Sequence, residues 1–90
     1  MVSRYFRRRW HESRGDEFDI WGYATYYFDA AEDGWPVRQV EVYDSGPVLR
    51  YGPAHREDRF GGLGQGQLDE FEEWAEWEIT AAEFERQWNE

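Results

Sequence analysis

Apolar and polar residues alternate from Arg4 to His11. Phe6, Arg8 and Trp10 fall on one face and Tyr5, Arg7, Arg9 and His11 on the other, the period of two that marks a strand. Neither face is cleanly apolar, which predicts an edge strand, where charged side chains discourage unwanted pairing. Glu12 to Glu17 reads as a loop by composition. From Phe18 to Asp29 aromatic residues occupy both faces, Trp21, Tyr23 and Tyr27 against Phe18, Tyr26 and Phe28, as suits a central strand. Asp33-Gly34 then supplies the positive φ of a tight hairpin. Trp35 to Tyr43 predicts a strand with Val40 and Val42 facing a core and Gln39 and Glu41 facing water. After the turn Asp44-Ser45-Gly46-Pro47 comes a short fourth strand, Val48 to Tyr51. Consecutive hairpins make these strands an antiparallel meander.

The pattern changes at Gly52. Residues 52–67 hold five of the nine glycines and show no periodicity, so they read as a flexible connection pinned by Phe60 and Leu63. Beyond it, Leu68, Phe71, Trp74 and Trp77 recur every three residues with acids between them, which predicts a helix whose apolar stripe faces the sheet. Thr80-Ala81-Ala82-Glu83 matches a capping box, and Phe84 and Trp88 lie at i, i+4 on one face of a second short helix. The expectation is an α+β fold: a four-stranded antiparallel meander packed against one or two C-terminal helices. It is a single domain over 1–90, with the sheet in 4–51, the glycine-rich connection in 52–67 and the helical segment in 68–89.

Composition sharpens the core. Leu, Ile, Val and Met are scarce, whereas six Trp, six Tyr and six Phe make up 20% of the chain. Each ring buries roughly 150–250 Å², so about ten inward rings would fill the one core that this length allows. The surplus rings are left for half-buried sheet edges or for contact surfaces. With no cysteine there is no disulfide framework, thiol nucleophile or thiolate metal site. The first ten residues lack the apolar stretch of a secretory signal. No apolar run approaches the ~20 residues that cross a bilayer. A cytoplasmic protein is expected.

The formal charge is −10, unevenly spread: residues 1–59 carry nine Arg against eleven acids, residues 60–90 one Arg against nine. Such a field repels nucleic-acid phosphates and attracts basic partners. Arg7-Arg8-Arg9, flanked by Tyr5, Phe6 and Trp10, is the one basic and aromatic cluster, the composition of a base-stacking surface, and against this charge its arginines are expected to pair with the acidic helices of the same chain. No catalytic, metal or cofactor site is expected. His11 and His55 lack helical metal-ligand spacing even with Asp58 nearby. No nucleophile elbow surrounds Ser13 or Ser45. The run Gly61-Gly62-Leu63-Gly64-Gln65-Gly66-Gln67 lacks the Lys-Ser/Thr ending of a phosphate-binding loop, and close carboxylate pairs are inevitable among twenty acids.

Several stretches taken together carry a likeness: Tyr26 to Asp29 (YYFD), Gly34 to Gly46 (GWPVRQVEVYDSG), Leu49 to Tyr51, Asp58 to Gly61 and Ile79 to Trp88 (ITAAEFERQW). They resemble a family of small bacterial proteins known only as a domain of unknown function. The resemblance implies a compact sheet-plus-helix domain and no catalytic residues, and it would place an apolar residue where Arg8 stands. Two functions are expected from the chain. The first is a protein-interaction module, of the antidote or immunity type by analogy of size and charge. In it Asp69, Glu70, Glu73 and Glu76 would steer a basic partner and exposed Trp or Tyr would anchor it. The alternative is a small-ligand or single-stranded nucleic-acid binder that stacks its ligand on an aromatic sheet face through Trp21, Tyr23, Trp35 and Arg38. An edge strand would also allow a homodimer.

Overall fold

The computed structural model describes residues 3–10, 19–58, 61–63 and 74–89, with the backbone alone for Asp19, Trp74 and Ala75. It is an α+β fold. Strands β1 (Arg4–Trp10), β2 (Ala24–Ala30), β3 (Pro36–Tyr43) and β4 (Val48–Tyr51) form the antiparallel meander, and β2 is central in it. A two-stranded ribbon of β5 (Glu57–Asp58) and β6 (Gly61–Gly62) follows. Strand β7 (Glu78–Ile79) adds itself to β1, and helix α1 (Ala81–Asn89) follows it; the sheet order is β4-β3-β2-β1-β7.

The two hairpin turns carry the chemistry their sequences advertise. Gly34 adopts a φ of 88° and its N–H donates to the Ala31 carbonyl at 2.8 Å. A second positive φ, 80° at Gly22, bends the chain where the sequence suggested an unbroken strand from Phe18. Asp19–Trp21 is instead a 3₁₀ turn. It is tied to the β3–β4 turn by the N–H groups of Ser45 and Asp44, which donate to the carbonyls of Trp21 and Tyr23, each at 2.9 Å.

Register sorts the side chains onto two faces. Tyr5, Arg7 and Arg9 share one with Thr25, Tyr27 and Asp29, with Arg38, Val40 and Val42, and with Val48 and Arg50. Helix α1 lies on this helix face, with Phe84 fully buried against it and Val40 sealed beneath. The opposite, aromatic face gathers Phe6, Phe28 and Ala30 under Trp77, and Ala24, Tyr43, Leu49 and Tyr51 under Trp21 and Leu63.

Three expectations are corrected here. Strand β1 is not an edge: it pairs with β2 along its length and with β7 at Tyr5 and Phe6, so the edges are β4 and β7. Its charges are consumed inside the fold rather than turned against other sheets. Arg4 holds Glu78 with two bonds of 2.8 and 3.0 Å. The Arg8 guanidinium lies over the rings of Trp10 and Trp77, 4.4 and 4.1 Å from their centres, a cation–π contact with each. Gln39 and Glu41 do not face water either, being only 3% and 5% exposed. Gln39 Nε2 meets the Gly62 carbonyl at 3.4 Å, and burial is tolerated because Glu41 accepts from Gln39 Nε2 at 2.7 Å and from the Tyr43 hydroxyl at 2.6 Å.

The third correction concerns the segment 68–79. Leu68 and Phe71 lie outside the described residues, but Trp74–Trp77 is a 3₁₀ turn and Glu78–Ile79 a strand. A strict three-residue repeat fits the 3.0 residues per turn of a 3₁₀ helix better than the 3.6 of an α-helix. One α-helix remains at the C-terminal end.

The docking of Trp21 beside the β3–β4 turn makes Gly46 sensitive. A Cβ there would stand 2.5–2.8 Å from three Trp21 atoms, closer than packed atoms come. We expect Gly46→Ala to cost about 1–3 kcal/mol in urea unfolding monitored by tryptophan fluorescence.

Candidate functional site

Three arginines of the sheet, Arg38, Arg50 and Arg7, bond to helix α1. Arg38 Nε donates to Asp29 Oδ2 at 2.7 Å within the sheet. Its two terminal nitrogens donate to the Glu85 carboxylate on the helix, one of them at 3.3 Å. The same group lies 4.9 Å from the Phe84 ring centre and 5.2 Å from that of Trp88. Burial alone would weaken the charge of Arg38, but the bonds to Glu85 and Asp29 outweigh it and hold its pKa above the ordinary value. The Arg38 bond in turn depresses the Glu85 carboxyl. Tyr5 packs on Phe84 at 5.6 Å, and Arg50 donates twice to the Gln87 carbonyl, at 3.0 and 3.1 Å.

The capping box is half formed. The Glu83 N–H donates to Thr80 Oγ1 at 3.2 Å, but the Glu83 side chain turns to Arg7, whose Nη1 donates to it at 2.9 Å. Beside this pair a groove of about 470 Å³ opens between α1 and the sheet, with Arg7 and Tyr27 on its floor and Thr80, Glu83, Arg86 and Gln87 on its wall.

A second surface lies at the end of the sheet where β1 and β3 finish and β2 begins. There Ile20 is 83% exposed, with Tyr23 at 43%, Val48 at 40% and Trp10 at 37%. The turn residue Asp44 is gripped by Arg9 at 2.6 and 2.7 Å, which fixes β1 to the β3–β4 turn and brings the guanidinium 5.6 Å from the centre of the Tyr23 ring.

Comparison of the chain with protein-family models, with curated proteins and with solved structures finds no match. Function therefore has to be read from these surfaces.

The four residues expected to stack a ligand do not share one face. Trp21 packs on Tyr43 at 5.2 Å over the aromatic face, and Tyr23 is exposed at the same end. Trp35 is exposed in the β2–β3 hairpin at the other end, the seven residues of β2 away, or about 20 Å. Arg38 is committed to the clamp on the helix face. Of the acids expected to steer a partner, Asp69, Glu70 and Glu73 lie outside the described residues, and Glu76 is exposed. Arg7 pairs with Glu83 of helix α1, as expected of the cluster, whereas Arg9 pairs with Asp44 of the β3–β4 turn instead of a helix.

His55 sits 3.2 Å from Asp58 and stacks on Tyr51 at 5.8 Å, while the Tyr51 hydroxyl donates to Asp58 at 3.0 Å. Among the described residues no three His, Cys, Asp or Glu gather as a metal would require, and no helix is long and apolar enough to cross a membrane. Sequence reasoning missed the groove, because nothing local says that α1 lies along β1 and β2. It also missed Ile20 and Val48, which are ordinary strand-like residues until the fold exposes them.

Removing Arg38 leaves Asp29, whose Oδ1 already has no protein partner, as an uncompensated buried carboxylate. We expect Arg38→Ala to destabilise by about 3–5 kcal/mol, measured by denaturant unfolding. Acid should act through the exposed bridges. Hydrogen bonds from Arg38, Arg4 and Arg9 hold the carboxyls of Glu85, Glu78 and Asp44 below their ordinary values of 4.5, 4.5 and 3.8. The unfolded chain takes up these protons first as pH falls, so the contribution is complete above about pH 5 and disappears as pH drops through the folded values. Thermal unfolding from pH 7 to pH 3 should show melting temperature falling only below about pH 5, and less steeply in Glu85→Gln.

Proposed function

We propose that this chain is a small acidic protein-interaction module that docks a basic partner protein against the Trp10–Ile20–Tyr23–Val48 end of its sheet. The observation that carries the reading is Ile20: a branched aliphatic side chain 83% exposed beside exposed Trp and Tyr. Isolated exposed apolar residues are unremarkable, but a group of aromatic and aliphatic anchors at one end is the composition of an interface centre. The partner's chemistry follows from charge. The chain carries −10; Arg4, Arg7, Arg9 and Arg38 are already engaged by its own carboxylates, so an approaching basic surface meets a net negative field that speeds encounter. An antidote or immunity role fits such a module by analogy of size and charge. The aromatic-face ligand reading draws less support, since Trp35 stands at the opposite end of the sheet from Trp21 and Tyr23, and Arg38 is engaged by Asp29 and Glu85.

The test is a library of genome fragments from the source organism, displayed and selected on the chain, with each recovered binder measured against three proteins. We expect binders with a basic contact surface whose affinity falls about tenfold or more, a loss of at least 1.4 kcal/mol, for Ile20→Asp. Affinity for Trp35→Ala, at the opposite end, should stay within about twofold of the unaltered chain. Binders indifferent to Ile20→Asp would refute the assignment of this surface.

A further inference from the structure

We infer that the groove between α1 and strands β1 and β2 is a binding site for a phosphate-type dianion, held by Arg7, Arg86 and the Tyr27 hydroxyl. The reading is independent of the protein-docking surface and rests on different residues.

Charge on the helix face is the first support. Five of the ten arginines lie there: Arg7, Arg9, Arg38 and Arg50 from the strands and Arg86 from α1. Arg7, Arg9 and Arg38 are matched by carboxylates. Arg50 spends its guanidinium on the neutral Gln87 carbonyl, and Arg86 has no carboxylate within salt-bridge range among the described residues. The groove itself is lined by Arg7 and Arg86 against the single carboxylate of Glu83, a surplus of one positive charge in a chain of net charge −10.

Geometry selects the ligand. A guanidinium presents paired N–H groups that match phosphate or carboxylate oxygens. Here the donors come from two directions, Arg7 and Tyr27 from the sheet floor and Arg86 from the helix wall. The Tyr27 hydroxyl, half-buried, bonds to no described residue. Donors in more than one plane suit the tetrahedral oxygens of phosphate better than the flat pair of a carboxylate. The volume of about 470 Å³ falls within the range of small-molecule sites, so the phosphate can bring a small organic group with it. Glu83 is the competitor. It engages Arg7 through Nη1 alone, at 2.9 Å, and an arriving dianion takes over the guanidinium from it.

The experiment is an amide-detected NMR titration with sodium phosphate at constant ionic strength and mildly alkaline pH, where inorganic phosphate is predominantly the dianion. Saturable shifts confined to Tyr27, Arg7 and residues 80–87, with a millimolar dissociation constant, are expected. Arg86→Gln, an exposed position whose change leaves the fold intact, should weaken binding about tenfold. Glu83→Gln should tighten it, and Arg56→Gln, away from the groove, should leave it unchanged. A parallel series with O-phosphoserine separates sources: tighter binding than inorganic phosphate assigns a phosphomonoester, and equal or weaker binding assigns the free ion. The inference is overturned by non-saturating shifts, by a response that Arg86→Gln retains, or by acetate reproducing the phosphate response at equal concentration.

Discussion

A nine-residue helix has no stability of its own in water, so everything on one face of this sheet depends on how α1 is docked. Phe84 supplies the buried apolar contact and Arg38 supplies the registry, bridging a buried aspartate in the sheet to a glutamate on the helix while its guanidinium lies against the stacked rings of Phe84 and Trp88. Ion pairs at protein surfaces contribute little to stability. This one differs because Asp29 is buried and has Arg38 as its counter-ion, so the pair fixes where the helix lies as well as whether it lies there. The wall of the groove, the burial of Val40 and the second attachment of β1 through β7 all follow from that placement.

Arginine is the only strong base in the chain, and the fold uses the property that separates it from lysine: a charged group that packs as a flat plate. Arg8 lies over the indoles of Trp10 and Trp77, and Arg38 lies against the stacked pair of Phe84 and Trp88. In a protein poor in aliphatic residues and rich in rings, such plates extend the aromatic packing while delivering charge to carboxylates at the rim. Charged residues on both faces of β1 are thereby compatible with a strand that is paired on both sides.

Much of the architecture was legible along the chain. The meander, the centrality of β2 and the Asp33-Gly34 hairpin follow from local signals, since alternation and turn chemistry are properties of neighbouring residues. The errors share a cause. Alternation tells which side chains share a face and is silent on what covers it. Gln39 and Glu41 read as solvent-facing because Gly62, whose carbonyl meets Gln39, belongs to a stretch with no periodicity of its own. The stretch from Phe18 to Asp29 read as one continuous strand because aromatic residues flank Gly22 on both sides. The site was less legible still: Arg7 stood out in its cluster, but Arg86 lies on another element, and only the docked helix makes them two sides of one groove. Ile20 and Val48 gain meaning only from what the fold leaves uncovered.

The order of strands in space has a temporal consequence. The four-stranded meander is built from sequential neighbours, whose hairpins form quickly, but the flank of β1 at Tyr5 and Phe6 is closed by Ile79 and Glu78, and Arg4 waits for a carboxylate 74 residues downstream. Contacts so distant along the chain close large loops and come late in folding. During synthesis, then, the earliest strand is also the last to be completed, and until residue 79 emerges its outer rim stays open to any other extended segment in the vicinity.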